Sequence, residues 1–201
     1  NLTNDLIMQI TEIFYPKNRQ EWYDWLRENH NSKSEIWVQK YIKTSGKPSI
    51  AYDDLVEGCL CFGWIDSIVK KNCPDGNVQR ITPRRKQRTF LSELNRQRVW
   101  KLQHTGEMTE FGKAPIAEQI GSPDDTFDIP DWLQERLEQE MVWLDFNALP
   151  HFYKRLKIGW ILELGTAPSR QVDKEKRIAH LIKMTKKGKM YGTQPLKEIL
   201  Y

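Results

Sequence analysis

Two stretches of the sequence decide the expected fold: Glu57-Gly-Cys-Leu-Cys-Phe-Gly-Trp-Ile-Asp66 and, further along the chain, Arg80-Ile-Thr-Pro-Arg-Arg-Lys86. The first joins an apolar run to a tryptophan and a carboxylate, and the second contains three arginines. Neither contains a familiar catalytic signature such as a glycine-rich phosphate loop. The combination therefore indicates a recognition site more than a known reaction.

These stretches are expected to form a helix followed by a β-hairpin. Apolar residues recur at helical spacing from Tyr52, and Gly63 is suited to end the helix because glycine tolerates positive φ. Strands over 64–69 and 78–82 then flank a loop that contains Pro74-Asp75-Gly76, a sequence typical of turns.

The N-terminal part is expected to add two strands and a helix. Residues 13–16 are predicted as a short strand, and residues 35–43 as a longer one because they are aromatic and β-branched with partial alternation. Asn18 and Glu21 have the spacing of a helix N-cap pair, which predicts a helix through about His30.

Beyond the hairpin the periodicity is helical. In a helix that opens at Pro130, a good first-turn residue, one apolar stripe is formed by Leu133, Leu137, Met141 and Leu144. The other expected helices lie at about 91–104, 110–120, 151–164 and 173–187, with Gly106 and Gly121 as stops.

Together these elements predict an α+β fold that is mostly helical. A small antiparallel sheet containing the 64–82 hairpin is covered by helices, and a helical C-terminal part follows. The acidic, loop-like stretch 121–130 is the credible boundary. Two domains are therefore expected, an α+β core over 1–122 and a helical module over 130–192, or one compact unit formed by both.

The composition is that of a globular protein. The 201 residues are 39% hydrophobic and 29% charged, which is enough for one sizeable core or two small ones. No apolar run approaches the roughly 20 residues needed to span a bilayer, and residues 1–15 lack the features of a secretory signal. Three cysteines, an odd number, do not indicate a disulfide framework. A reducing, cytoplasmic location is expected.

Charge is unevenly distributed along the chain, although the formal net charge is only +4. Residues 70–101 hold ten lysines and arginines against two acids, and residues 154–189 hold eleven against three. Residues 102–153 hold two against eleven acids. The basic blocks can attract anionic partners, or the acidic and basic segments can simply face one another in the fold.

The best candidate site lies at the exit of the hairpin. Arginine forks bind phosphate or carboxylate through paired hydrogen bonds, and an aromatic ring can stack on a planar ligand. In one of the two possible hairpin registers Asp66 lies opposite Arg80. The alternative is structural, with Asp66 in an ion pair and Trp64 in the core. The predicted ligand-binding residues are Trp64, Asp66, Arg80, Arg84, Arg85, Asn95 and Arg98.

Other reactive side chains give weaker signals. Cys59 and Cys61 point about 200° apart on a helix, so they are expected as buried apolar residues and not as a metal or redox pair. The four histidines show no ligand-like spacing with cysteines or carboxylates. No metal and no cofactor are therefore expected.

The C-terminal lysines support a second binding hypothesis. Four lysines lie between Lys183 and Lys189 inclusive, and such a cluster can contact a nucleic-acid backbone or anionic lipid. Cations are also common at the ends of helices because they interact favourably with the helix dipole. Nucleic acid is thus an alternative partner, bound through the basic blocks 70–101 and 154–189.

A wider set of residues forms a recognisable pattern along the chain. It comprises the Trp22–Leu26 helix with Asn29-His30, Trp37, Leu60-Cys-Phe-Gly-Trp-Ile-Asp66, Pro83-Arg-Arg85, Asn95, Gly106-x-Met-Thr109, Phe152, Leu156, Trp160-Ile161 and Lys176-Arg-Ile178. This pattern resembles the YdeI/OmpD-associated family, whose name refers to bacteriocin protection. The chain departs from that family at Phe90-Leu-Ser92, where the family often shows Trp-Ser.

The resemblance implies bacterial origin and a link to envelope stress or to tolerance of antimicrobial peptides, and it supplies no catalytic residues. We therefore expect a non-enzymatic protein that recognises an anionic small molecule or an acidic protein partner through the hairpin exit. The remaining alternative is an enzyme that acts on an anionic metabolite, with Asp66 as acid/base.

Overall fold

The structure, a computed structural model, describes residues 9–86 and 90–200. It confirms the predicted α+β class, with helices predominating over a four-stranded sheet. Residues 1–8 of the segment assessed for a secretory signal, and Arg88 of the first basic block, lie outside the described residues. No helix in the described ranges is long and apolar enough to cross a membrane.

The helices and strands are numbered in chain order. In chain order they are β1 (Ile13–Phe14), α1 (Arg19–Asn29), β2 (Ile36–Tyr41), α2 (Tyr52–Cys61), β3 (Trp64–Cys73), β4 (Gly76–Pro83), α3 (Glu93–His104), α4 (Glu110–Lys113), α5 (Ala117–Ile120), α6 (Asp131–Gln139), α7 (Trp143–Asn147), α8 (His151–Leu162), α9 (Gln171–Lys186) and α10 (Lys197–Leu200), with single 3₁₀ turns at Lys43–Ser45, Ala114–Ile116 and Pro168–Arg170.

The chain divides into two compact units. The first holds residues 9–86 and Glu107–Ala117, and the second holds Phe90–Gly106 and residues 118–200. The sequence placed the division at 121–130, whereas in the structure α3 belongs to the same unit as the C-terminal helices. Contacts between α3 and α8, described below, account for this membership.

The sheet of the first unit is mixed. Its strand order is β1-β2-β4-β3, and only the two-residue β1 runs parallel to its neighbour. β3 and β4 form the predicted antiparallel hairpin around a turn at Pro74 and Asp75. The predicted signals at the ends of the first two helices are also confirmed: the side chain of Asn18 accepts a hydrogen bond from the backbone nitrogen of Glu21 at 3.0 Å, and Gly63 has a φ of +73°.

The hairpin adopts the register that separates Asp66 from Arg80. Asp66 pairs with Ile81, and an irregularity between Asp66 and Val69 then shifts the pairing by one residue. Because neighbouring residues on a strand point to opposite faces, Asp66 and Arg80 lie on different faces of the sheet. Ile36 of β2 pairs with Ile81, and both are fully buried. Burial of this isoleucine pair fixes the parity.

Tryptophans of α1 hold the first unit together. The indole of Trp22 is fully buried, and its Nε1 donates to the backbone oxygen of Leu55 in α2 at 3.1 Å. Gly58 permits this approach, since a Cβ there would lie 2.6 Å from the Trp22 ring. Trp25 stacks on Trp22 at 5.5 Å between centroids and meets the edge of Trp64 at 5.9 Å.

Two predicted helical features are wrong. The expected helix over 110–120 is interrupted by the 3₁₀ turn Ala114–Ile116, because Pro115 has no backbone N–H to donate. The helix after Pro130 ends at Gln139, so the predicted stripe stops at Leu137.

The rest of that stripe faces solvent. Met141 has a φ of 56° and is 89% exposed, and Leu144 is 80% exposed. Val142 and Phe146 occupy the buried positions instead. The positive φ at Met141 redirects the chain, which an uninterrupted helical pattern does not anticipate.

Helix α8 is the centre of the second unit because nearly all of its faces are buried. It contributes to one apolar cluster with α6, α7 and α9, and to another with Trp100 of α3 and with Leu196. A helix buried on all sides is normally apolar throughout, yet two of these residues are cations. The buried residues of α8 are Phe152, Tyr153, Arg155, Leu156, Lys157, Ile158 and Ile161.

The first of these cations, Arg155, is neutralised within the unit. Its Nε donates to Glu93 Oε1 of α3 at 2.7 Å, and its Nη1 donates to the backbone oxygens of Ser122 at 3.1 Å and Asp125 at 3.0 Å. Gly159, one turn further along α8, allows the close approach, since a Cβ there would lie 2.5 Å from the Glu93 Cβ. An ion pair and a close backbone approach thus attach α3 to α8.

Replacement of Gly159 by alanine tests this packing. Alanine normally stabilises a helix relative to glycine by about 0.5–1 kcal/mol, but here its Cβ would collide with Glu93, next to the α3 backbone. We expect Gly159→Ala to lower the free energy of unfolding by about 1–3 kcal/mol, as overpacking does, in urea titrations followed by circular dichroism. Glu175→Ala, at an exposed position of α9, is the control with little effect. A more stable Gly159→Ala would contradict the packing described.

Candidate functional site

The residues predicted at the hairpin exit occupy different environments. Trp64 is only 1% exposed, and its Nε1 donates to the backbone oxygen of His30 at 3.1 Å, so it belongs to the core of the first unit. Arg85 is exposed. Asn95 and Arg98 lie on α3 in the second unit, where Arg98 donates to the Asn95 side chain at 2.8 Å.

Asp66 is held by uncharged partners. Its Oδ2 accepts hydrogen bonds from Gln79 Nε2 at 2.6 Å and from the Tyr52 hydroxyl at 3.1 Å. Arg80 forms its ion pair with Glu35 instead. The Asp66–Arg80 contact that one register would have produced is therefore absent, and the Arg80 charge is neutralised by Glu35.

Arg84 is a buried cation that makes no ion pair with any residue in 9–86 or 90–200. Its Nε donates to the backbone oxygen of Trp64 at 3.0 Å, while its buried Nη1 has no hydrogen-bond partner in those ranges. Desolvation lowers the pKa of the guanidinium, and the field of Asp66 opposes this shift. Arg84 and Asp66 are thus the part of the predicted constellation whose charges interact.

A cavity of about 360 Å³ lies in the second unit, and the sequence analysis did not anticipate it. Its walls come from the start of α3, from α8 and from the segment that follows α9. The lining residues are Ser92, Leu94, Leu156, Lys157, Trp160, Glu163, Tyr191, Gly192 and Thr193.

Lys157, the second buried cation of α8, lies in the wall of this cavity and is 5% exposed. Its ammonium nitrogen lies 3.7 Å from the ring centroid of Tyr191, 5.1 Å from that of Tyr153 and 5.6 Å from that of Trp160. Within the described part of the chain it makes no ion pair and no hydrogen bond. Of the residues that the structure describes, three aromatic rings and no carboxylate surround it.

Burial of this ammonium without a counter-charge is unfavourable. Desolvation lowers the pKa of Lys157 to about 8, because burial disfavours the charged form of an amine. Cation–π contacts offset part of the cost, each by about 0.5–2 kcal/mol. The site therefore offers either a cation that lacks an anion or an amine that loses its proton near neutral pH.

The one carboxylate that lines the cavity is already paired. Glu163 Oε1 accepts a hydrogen bond from Arg177 Nη1 at 2.7 Å. The Arg177 guanidinium also donates to the backbone oxygen of Trp160 and lies 4.6 Å over the centroid of its ring. Because Glu163 pairs with Arg177, it does not neutralise the charge of Lys157.

The segment after α9 completes the cavity. The backbone nitrogen of Tyr191 donates to the Tyr153 hydroxyl at 3.2 Å, and the buried hydroxyl of Tyr191 has no hydrogen-bond partner in residues 9–86 and 90–200. Gly192 has a φ of +77°, and a Cβ there would lie 3.2 Å from Lys157 Nζ. Glycine therefore satisfies the backbone conformation and leaves room beside the amine.

Comparison with known proteins places the chain in a family. A family model described as a domain of unknown function, DUF8412, matches residues 14–115. The chain belongs to this family. The match includes the sheet and helices α1 to α4, whereas most of the residues that line the cavity lie beyond it. No curated protein and no solved structure matches this DUF8412 chain.

One sequence signal could have indicated the cavity of this DUF8412 protein. Tyr153, Lys157 and Trp160 are spaced so that both rings lie on the lysine's side of one helix. The third ring, that of Tyr191, lies 38 residues beyond Tyr153. No local pattern brings it to α8, so the enclosure of the amine could not be predicted.

Two of the three cysteines behave as buried apolar side chains. Cys59 and Cys61 are buried, and all three cysteines are free. Burial raises the pKa of both buried thiols, that of Cys61 to about 11, so neither is an activated nucleophile. In the described ranges, no group of three or more His, Cys, Asp or Glu side chains is placed to hold a metal ion.

The C-terminal lysines form a solvated basic surface in the DUF8412 structure. Lys183, Lys187 and Lys189 are exposed, and Lys186 pairs with Glu140 at 2.9 Å. Part of the local charge is therefore neutralised internally.

The pH dependence of stability tests the environment of Lys157. The folded protein lowers this pKa from 10.5 to about 8, so below about pH 8 folding must bury an ammonium that the unfolded chain solvates. As pH rises from 8 towards 10.5, the folded amine is neutral while the unfolded one still holds its proton.

Wild-type protein should therefore gain about 1–3 kcal/mol in unfolding free energy relative to Lys157→Met as pH rises from 7 to 10. Urea unfolding at several pH values measures the difference. Lys154→Met, which replaces a lysine that bonds to Asn147, is the control, and its unfolding free energy should differ from that of wild type by the same amount at every pH. If the difference between wild type and Lys157→Met also stays constant with pH, burial does not perturb the amine.

Proposed function

We propose that this protein binds a small anionic ligand with an aromatic or apolar body in the cavity of the second unit, and that Lys157 meets its negative charge. Two buried cations on α8 support the proposal by their contrast. Arg155 has Glu93 and two backbone oxygens as partners, whereas Lys157 has no ion-pair or hydrogen-bond partner among the described residues. A buried charge that the fold does not neutralise is a signal of a binding or catalytic site.

The size and lining of the cavity suit this function. Its volume of about 360 Å³ falls within the roughly 300–1,000 Å³ of small-molecule sites. Trp160, Tyr191 and Leu156 supply apolar surface, and the Ser92 and Thr193 hydroxyls supply hydrogen-bonding groups. An anion that enters would form an ion pair with Lys157, and this pair would offset part of the desolvation cost of both charges.

Binding of matched charged and neutral ligands tests the proposal. Benzoate and phenyl phosphate carry an anion on a ring, and benzamide has nearly the shape of benzoate without its charge. We expect either anion at ten times its Kd to stabilise the protein by about 1.4 kcal/mol, with little effect of benzamide. Thermal unfolding and calorimetric titration measure the effect.

Two lysine variants locate the bound anion. Lys157→Met should abolish the stabilisation. Lys154→Met, which removes a lysine of the same helix that does not line the cavity, should preserve it. Equal stabilisation of wild type and Lys157→Met would show that the cavity is not the site. A third outcome is that affinity for the anion falls steeply as the salt concentration rises, and that Lys183→Met and Lys187→Met weaken binding as much as Lys157→Met. That outcome would favour nucleic acid or another polyanion as the ligand.

A second candidate is the hairpin exit that the sequence predicted. The observation that favours it is the buried Nη1 of Arg84, which lacks a hydrogen-bond partner in the described ranges. A guanidinium with open donors can receive a carboxylate or phosphate. Here Arg84 would contact the anion, and Asp66 would act on it only if the ligand also carried a donor.

Arg84→Met separates recognition from stability. Because one polar nitrogen is buried without a partner, an apolar side chain of similar length should keep the unfolding free energy within about 1 kcal/mol of wild type or raise it. If phosphate or citrate still stabilises Lys157→Met but not Arg84→Met, the hairpin exit binds the anion. A loss of several kcal/mol in Arg84→Met would mean that the arginine is structural.

The wider biological role stays a prediction. The link to bacteriocin protection or envelope stress rests on the resemblance to the YdeI/OmpD-associated family, and an acidic protein partner rests on the basic blocks. A cytoplasmic setting is supported by the three free cysteines.

A further inference from the structure

We propose that Lys157 forms an imine with an anionic carbonyl compound, an aldehyde or an α-oxo acid, that enters the cavity of the second unit. The inference rests on the proposed function, because the same cavity must admit an anion before the amine can attack it. It goes further by assigning a covalent step to a named atom, Lys157 Nζ.

The surroundings of Lys157 provide a free amine. A lysine that forms an ion pair keeps its proton and its position, but Lys157 has no carboxylate among the described residues, and Glu163 is held by Arg177. With a pKa of about 8, roughly a tenth of the side chains are neutral at pH 7, against far fewer than a hundredth for an exposed lysine. Desolvation is a recognised means of activating a lysine for imine chemistry.

The geometry leaves one side of the amine accessible. Aromatic rings occupy three directions around Nζ, at 3.7, 5.1 and 5.6 Å. On a further side, the missing side chain of Gly192 leaves space, since a Cβ there would lie only 3.2 Å from Nζ. Gly192 lines the cavity, so this is the side from which the proposal brings the carbonyl carbon to Nζ.

The step balances without any other reactant. The neutral amine attacks the carbonyl carbon, the C–N bond forms, and the carbonyl oxygen takes up a proton to give a carbinolamine. Loss of that oxygen as water leaves the iminium. In sum, one ammonium and one carbonyl give one iminium and one water, with no change of oxidation state.

The cavity suits the product as well as the reactants. The iminium carries its positive charge where the ammonium carried it, so the three rings continue to stabilise a cation. Tyr191 is one of the lining residues, and desolvation raises the pKa of its buried hydroxyl, which therefore keeps its proton. Ser92 and Thr193 also line the cavity; the Ser92 oxygen accepts from the backbone nitrogen of Asn95 at 3.3 Å, and both hydroxyls retain a proton to donate to the carboxylate of an α-oxo acid.

Reductive trapping tests the inference on the intact chain. Glyoxylate, an anionic aldehyde, is added with sodium cyanoborohydride, which reduces an iminium to a stable secondary amine. Peptide mapping by mass spectrometry then measures the extent of modification at each lysine. We expect Lys157 to be modified at least tenfold faster than Lys154 or Lys187, because a far larger fraction of it is neutral, and faster still as pH rises to 8.

Two further measurements make the result decisive. Saturating phenyl phosphate should slow modification of Lys157 and leave Lys187 unchanged. Unfolding in urea should abolish the preference for Lys157, a comparison that requires no variant. Lys157→Arg, if it folds, should lose the adduct but keep a cation for phenyl phosphate.

The outcomes separate this inference from the proposed function. If Lys157 is modified no faster than the exposed lysines, but phenyl phosphate still binds in a Lys157-dependent way, imine formation is overturned and anion binding is left intact. Selective modification of Lys157 that phenyl phosphate slows supports both. If Lys157 is not modified selectively and phenyl phosphate does not bind, both proposals are overturned.

Discussion

The buried ion pair between Arg155 and Glu93 is the interaction on which the second unit depends. Helix α8 is enclosed on nearly all sides, so a buried charge on it is costly unless a neighbouring element supplies a partner. Glu93 provides that partner from α3 at 2.7 Å, and Gly159 permits the approach. Membership of α3 in the C-terminal unit follows from this pair, although α3 precedes that part of the chain by a long stretch of sequence. Glu93 also pairs with Arg96, so it is the loss of Glu93 that would leave the Arg155 charge buried without a carboxylate, which is costly.

Lys157 stands in the opposite situation, two residues along the same helix. It is as deeply buried as Arg155, but its surroundings are rings, which attract a cation without neutralising it. The fold therefore retains a destabilising group in a place where methionine or leucine would pack. Proteins tolerate the unfavourable burial of a charged group where a ligand or a reaction uses that group. The cavity beside the amine, lined in part by Tyr191 and Gly192, is the place where a ligand could meet it.

Local patterns predicted most of the elements, and long-range contacts explain where they failed. The cap at Asn18, the stop at Gly63 and the turn before Gly76 are encoded within a few residues, so the first helix and the hairpin were predictable. The register of the hairpin depends on pairing with β2, and periodicity within the hairpin left two registers open. The exposure of Met141 depends on a positive φ that its side chain does not signal. At the cavity, Tyr153, Lys157 and Trp160 share a helix face, but the ring of Tyr191 arrives through tertiary structure.

Arg84 and Lys157 show how the same physical condition leads to different chemistry. Each is buried without an ion pair among the described residues, and desolvation lowers the pKa of each. A guanidinium begins so high that it stays charged after such a shift, so a site built on Arg84 can only attract and orient an anion. An ammonium shifted to about 8 exchanges its proton near neutral pH and exposes a nucleophilic lone pair. The choice of lysine at position 157, where arginine would hold an anion more firmly, is therefore the feature that argues for a covalent role at the cavity and for recognition alone at the hairpin.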